Sequence, residues 1–423
     1  LKKLFDVRRG ELRVCGQAFL VLLLMVAAHT ILETARDTLF LLHNPSSGLS
    51  LMYVALACLT FFANAGAIMV ARRVGHRRAL LWLLVAAIGA SLALSFVVRS
   101  NRGVCAVYLF SGLVGVLLSP HFWLLAANLF TQAQGRRLFS LVAAGGIVGG
   151  VFGAGIAGYV LRSCSATALL PLAAGSFALA SLALATIRDD RDPLSSSLSD
   201  SVYEQRGTRT GRGRCGRYAA RVVALVVTSA AAVLIVDYLF KVTIASRVPA
   251  ASLGGFFARF YAAMNLVSFG VQIILARPAL RRLGVVGAAC VMPFLLIGGG
   301  IAAFCGGGTL LVVLGLKAID GGLRYSLNRV AIELLYLPVP ETVRDRTKGL
   351  FECVVGRVVQ ACTGGVLYLL ALRTLASPRI LALLVVVLSL AWAWLALSLR
   401  RPYADLIERR RRLDATTIAV APR

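Results

Sequence analysis

Apolar residues fill this chain in long runs rather than in alternation. Runs of about twenty, the length a helix needs to cross roughly 30 Å of hydrocarbon, cover 16 to 42, 49 to 71, 79 to 98, 104 to 130, 139 to 161, 166 to 187, 219 to 245, 254 to 276, 283 to 304, 307 to 336, 349 to 373 and 377 to 399. None alternates apolar with polar positions, which excludes a membrane β-barrel. The pattern predicts an all-α membrane protein of about twelve transmembrane helices. The first run exceeds the roughly 7 to 15 apolar residues of a signal-peptide core and no small-residue cleavage site closes it, so it is expected to be a retained span.

Between the sixth and seventh runs the pattern lapses. Residues 188–218 are rich in serine, glycine and arginine, hold Pro193, and are expected to form a flexible cytoplasmic linker. The chain then divides into an N-terminal six-helix bundle over 1–187, a C-terminal six-helix bundle over 219–399 and a basic tail over 400–423. The halves echo each other. Asp37-Thr38-Leu39-Phe40 recurs as Asp237-Tyr238-Leu239-Phe240, and Arg136-Arg137-Leu138-Phe139 resembles Lys348-Gly349-Leu350-Phe351. Two six-helix pseudo-repeats are the plan of a rocker-type carrier.

Composition agrees with the pattern: 59% of the residues are hydrophobic and the mean hydropathy is +0.82, well beyond a soluble domain. The formal charge of +27 does not point to nucleic acid, because the bases sit in short loops. Lys2, Lys3, Arg8 and Arg9 precede span one, Arg72, Arg73, Arg77 and Arg78 follow span two, and Arg277, Arg281 and Arg282 follow span eight. Arg136 and Arg137, Arg344, Arg346 and Lys348, and Arg400, Arg401 and Arg409 to Arg412 fall on the same side, which the positive-inside rule makes cytoplasmic, with both termini. The tail interleaves Leu406, Ile407 and Leu413 with arginines and suits a surface helix on anionic lipid headgroups. Nine cysteines, among them Cys58, Cys105, Cys290 and Cys362, are scattered without metal-ligand spacing.

Charge inside a span costs about 2.5 to 3.5 kcal/mol on insertion scales, so each such residue needs a partner or a cavity. Span one holds His29, Glu33, Arg36 and Asp37 on one face; span seven holds Asp237 and, four residues on, Lys241. In span ten Lys317, Asp320, Arg324 and Asn328 follow one stripe, and Arg329 and Glu333 are spaced as a second pair. Five bases thus face five acids, and mutual pairing competes with a role for Arg36, Lys241, Lys317, Arg324 and Arg329 as contacts to an anionic solute. Arginine suits phosphate geometry, which puts Arg36 and Arg324 first. Asn64, His121, Asn128, Arg259, Asn265 and Arg357 either line the same cavity or hydrogen-bond between helices, the second being the expectation for each taken alone. Gly153-Ala154-Gly155-Ile156-Ala157-Gly158 spells GxGxxG inside a span with no strand before it. Together with Gly145 and Gly149 it fits close helix packing rather than dinucleotide binding. No motif for catalysis, a cofactor or a metal is present.

Glu33-Thr34-Ala35-Arg36-Asp37-Thr38-Leu39 resembles the first-span motif of the ATP/ADP translocase family of plastids and intracellular bacteria. Arg324-Tyr325-Ser326-Leu327, Glu333-Leu334-Leu335-Tyr336-Leu337-Pro338 and Arg346-Thr347-Lys348-Gly349 are similar to the same family, as is Gln134-Gly135-Arg136-Arg137-Leu138-Phe139 through Gly146. The chain departs from it at Arg36, where members carry lysine, and at Ile332, where transporting members have lysine before the span-ten acid.

The resemblance implies a fold of major facilitator type and exchange of adenine nucleotides by alternating access, in a bacterial cytoplasmic membrane, with Arg36 at the basic substrate position. The expected function is a secondary transporter, an antiporter of adenine nucleotides or a similar organic anion, acting as a monomer, with spans one, seven and ten lining its cavity. Two alternatives stay open. Glu33, Asp37 or Asp320 would relay protons in a carrier of a different solute, or the cavity would be vestigial in a non-transporting scaffold, as Ile332 allows.

Overall fold

In hydrocarbon a backbone has no partner but itself, and long apolar runs satisfy it as helices. The computed structural model of the chain describes residues 11–130, 132–187, 212–336 and 354–408, and these are helical throughout apart from short connections. The helices are α1 (Leu12–His43), α2 (Gly48–Val74), α3 (His76–Val97), α4 (Asn101–Leu129), α5 (Gln132–Val160), α6 (Leu169–Ala185), α7 (Arg212–Arg247), α8 (Leu253–Gly270), α9 (Ala276–Cys305), α10 (Leu310–Leu323), α11 (Arg329–Leu335), α12 (Gly356–Leu372) and α13 (Pro378–Ser398). Among the described residues ten helices are long and apolar enough to cross a membrane. The interrupted α10–α11 segment and the shorter α12 complete the twelve segments that the hydropathy pattern predicts.

Two connections need only one residue. α2 passes into α3 through Gly75 at φ 87°, and α9 is broken at Gly284 at φ 69°. Both conformations lie where a Cβ is costly and glycine is not. They occupy matching places after spans two and eight, so the two halves share a turn as well as a motif. At Gly284 the structure corrects the sequence reading: helix runs up to the break through the stretch that hydropathy assigns to a loop carrying Arg277, Arg281 and Arg282. α7 likewise starts seven residues inside the predicted linker. The remainder of that linker, the segment with Arg344, Arg346 and Lys348, the N-terminal bases and Arg409 to Arg412 lie outside the described residues.

The chain forms two compact units, Leu1–Leu198 with Ile244–Val267, and Ser199–Thr243 with Ser268–Arg423. Most of α8 therefore groups with the first of these units.

In the first unit α1 is the central helix, with Ala18, Val21, Ala28, Ile31, Leu32 and Ala35 fully buried. α5 lies along it through a glycine stripe. A Cβ on Gly145 would come 2.6 Å from the Phe19 carbonyl oxygen, and Gly149 and Gly153 sit equally tight against Leu23 and Ala27. The four-residue spacing on both helices lets the backbones meet, which in lipid supplies packing that apolar burial cannot. At one end of this seam Glu11 accepts from Arg137 at 3.1 Å and from Gln134 at 3.1 Å.

In the second unit α9 packs on α13, where Trp392 is fully buried, and on α10 through Gly299 against Leu316. The Tyr218 hydroxyl of α7 donates to the Leu335 carbonyl of α11 at 2.7 Å.

The seam predicts a sharp contrast between neighbouring glycines. Gly149→Val should destabilise the folded protein by about 1–3 kcal/mol through overpacking. Gly155→Val, where a Cβ meets nothing within 4 Å, should stay within about 0.5 kcal/mol of the parent. Thermal unfolding in detergent reads both.

Candidate functional site

Helical spacing of three and four residues stacks the span-one charges on one face, and tertiary packing turns that face inward. Arg36 is nearly buried and Asp37 fully so. The Arg36 guanidinium grips Asp37 with two hydrogen bonds, Nε to Oδ1 at 2.8 Å and Nη2 to Oδ2 at 2.9 Å, and Nη2 also donates to Glu33 Oε1 at 3.0 Å. Neighbours in sequence do not face each other on a helix, so the first pairing requires the long arginine stem to fold back beside its own backbone. Two further groups complete the cluster. The Tyr108 ring of α4 lies 5.1 Å from the guanidinium carbon, within cation–π range. The Tyr261 hydroxyl of α8 donates a short hydrogen bond to Asp37 Oδ2. Two carboxylates here share one guanidinium, and the Glu33 side chain keeps 33% exposure.

The second unit builds a longer chain with the opposite balance. Lys241 Nζ pairs with Asp237 Oδ2 at 3.0 Å, and Lys317 Nζ reaches Asp237 Oδ1 at 2.7 Å and Asp320 Oδ2 at 3.1 Å. Arg324 donates through Nε to Asp320 Oδ1 at 2.7 Å and through Nη2 to Oδ2 in a shorter contact. The order is Lys241, Asp237, Lys317, Asp320, Arg324, with bases and acids in alternation. Three bases share two carboxylates. Asp320 has no exposed surface, and Arg324, at the open end of the chain, has a side chain 29% exposed. The cluster is deep: Asp237 stands ten residues from the end of α7, about 15 Å along the axis.

Arg324 also opens an irregularity. Residues Arg324–Asn328 form a π-helical turn between α10 and α11, a local widening that recurs at functional sites. Asn328, one such turn on, is buried, and its Oδ1 accepts no hydrogen bond among the described residues. The extra residue of the π turn rotates α11 by about 100° relative to a continuous α-helix. Arg329 and Glu333, which lie off the charged stripe, are exposed on α11.

Of the remaining candidates, His121 is buried and bonds the Leu117 carbonyl through Nδ1 at 2.7 Å, and Arg357 donates to Gln360 at 3.1 Å. Arg259 is exposed and donates to the Gly255 carbonyl at 3.1 Å. His29 packs against Gly115 of α4. Every one of Arg36, Lys241, Lys317 and Arg324 is thus held by a carboxylate rather than left to a solute alone. Sequence reasoning missed Tyr261 and the Lys317–Asp237 contact. Both join residues of different spans, and neither spacing nor composition carries a signal for them.

Removing Asp320 should expose this dependence. Asp320→Asn leaves Lys317 and Arg324 crowded without their shared carboxylate, which should cost about 3–5 kcal/mol. Combining it with Arg324→Leu restores the original net charge and should recover part of the loss. A double-mutant cycle on unfolding in detergent measures the coupling.

No family model matches the chain, and no curated protein matches it either. Solved structures do. A D-xylose-proton symporter superposes with a TM-score of 0.65 at 13% identity, over 90% of this chain and 96% of the other. A bacterial homologue of the iron transporter ferroportin, in its inward-facing state, gives 0.63 at 15% identity over 92% and 98%, and the nucleoside transporter NupG gives 0.60 at 13% over 90% and 98%. All three are transporters rather than enzymes, and none is an ATP/ADP translocase, so that resemblance rests on the motifs alone. At this identity the likeness is one of architecture: the chain has the all-α, multi-pass fold of the major facilitator type.

Proposed function

We propose that this protein is a secondary transporter that carries a small organic anion across the membrane by alternating access. The observation that supports an anion is the convergence of three bases in the second unit, where Lys241, Lys317 and Arg324 gather around Asp237 and Asp320. Bases held together inside the protein strengthen the attraction for an anionic solute that reaches them.

Arg324 is the base best placed to make the contact. It is partly exposed, it stands at the head of the π turn, and its planar fork matches a carboxylate or phosphate. The buried Asn328 Oδ1 favours a solute that also brings a hydroxyl or amino donor. Lys317 and Lys241 set the potential behind it, and Arg329, on the exposed face of α11, is assigned no contact. In the first unit an anion reaches Arg36 most readily by displacing Glu33, which holds it by one hydrogen bond and is a third exposed.

Among organic anions, the family resemblance of the segments around Arg36 and Arg324 favours adenine nucleotides, exchanged by antiport. The basic loops orient both termini to the cytoplasm, and the bacterial relatives that the motifs resemble favour the cytoplasmic membrane. A second reading, proton-coupled transport of a different solute, is favoured by one observation: Glu33 and Asp37 share a single guanidinium. Uptake that persists unchanged when the pH gradient is collapsed would remove that reading.

The test is uptake of labelled ATP and ADP into proteoliposomes loaded with unlabelled nucleotide. Arg324→Ala and Arg36→Ala should each lower the exchange rate by about tenfold or more, the usual consequence of losing a hydrogen bond to a charged group. Equal flux through the parent and both variants would discard the proposed contacts.

A further inference from the structure

The face of α8 that groups with the first unit is built from small and polar residues at helical spacing. Gly254 lies against Leu161 and Thr38, with a hypothetical Cβ at 3.0 and 3.3 Å from them; Ala258 lies against Gly158, whose Cβ would stand 3.3 Å from its own. One turn on, Tyr261 bonds Asp37, and beyond it the Asn265 carboxamide fills the space beside Gly150, 2.8 Å from where a Cβ would be. Asn265 is itself held in place by its bond to the Tyr261 carbonyl at 2.9 Å.

Phe257, on the same face, is fully buried, and the small residues Gly254 and Ala258 let the helices come close. The charge-assisted bond from Tyr261 to Asp37 adds a strong directional link. The acceptor is not an isolated carboxylate, because Asp37 already receives two bonds from Arg36.

We propose that Tyr261 is a positioning residue: it latches α8 onto α1 and α5, and the latch closes and opens as the transporter cycles. The proposal rests on the carrier reading for its role, though not for its test. An anion that draws Arg36 away from Asp37 leaves more of the carboxylate charge to Tyr261 and tightens the latch, so the state of the span-one cluster is transmitted to the position of α8. The ring of Tyr261 stacks on Phe257 at 5.9 Å, so replacing the hydroxyl alone leaves the packing in place.

The latch can be read without knowing the solute. In a background with the nine native cysteines replaced, Gly158→Cys together with Ala258→Cys puts two thiols where a disulfide can close, since bridged Cβ atoms stand roughly 3.5–4.5 Å apart. A control pair, Val26→Cys with Gly146→Cys, spans α1 and α5 away from α8. In proteoliposomes under a mild oxidant, Tyr261→Phe should slow closure of the first pair about tenfold and leave the control pair unchanged, and Asp37→Asn should act in the same direction. Equal closure rates with tyrosine or phenylalanine at 261 would overturn the latch, and so would an equal slowing of both pairs, which marks general loosening. Failure of nucleotide exchange in the flux assay leaves this readout standing, so the two ideas fail separately.

Discussion

Asp320 has no surface left for water, and a carboxylate in that position is tolerable only because Lys317 and Arg324 reach it from one turn before and one turn after on the same segment. Removing an ion from water costs several kcal/mol even after relaxation, so the three residues must stay together and must point inward. That requirement fixes the rotation of α10 about its own axis. It extends to α7, because Lys317 also serves Asp237, and Asp237 serves Lys241. One neutralisation constraint thus orients two spans of the second unit, where apolar surface, equally content against lipid or protein, has little to say about which face goes where.

The first unit solves the same problem with fewer parts. Asp37 and Asp237 stand at matching points of the two repeats, and a single left-handed glycine, Gly75 or Gly284, turns the chain at matching points after them. The partners have diverged. Asp37 is paired with the arginine beside it, in a cluster with one base for two acids, whereas Asp237 lies between two lysines in a chain with three bases for two acids.

Much of this was legible in the sequence, and the limit is physical. Hydrophobic run length fixed the spans because hydrocarbon thickness fixes it. The i to i+3 and i to i+4 spacings announced Arg36 with Glu33, Asp237 with Lys241, and Asp320 with Lys317 and Arg324, because a helix brings those positions together whatever surrounds it. The glycines of α5 were readable as a packing stripe for the same reason. Contacts across the fold were not readable: Lys317 meets Asp237 eighty residues away, and Tyr261 meets Asp37 at a separation of 224. The π turn escaped notice because its sequence, Arg-Tyr-Ser-Leu-Asn, is compatible with an ordinary helix.

At the π turn regular helix geometry gives way. A continuous helix through 324 to 328 would keep regular hydrogen bonding and would bring the stripe of Lys317, Asp320 and Arg324 straight on into α11. Instead the backbone accepts a wider, less favourable turn at a partly exposed arginine, as it does again at Val271–Leu275, and the buried Asn328 oxygen makes no hydrogen bond among the described residues. An irregular backbone, a partly exposed base and an unsatisfied acceptor thus coincide within five residues of the second unit.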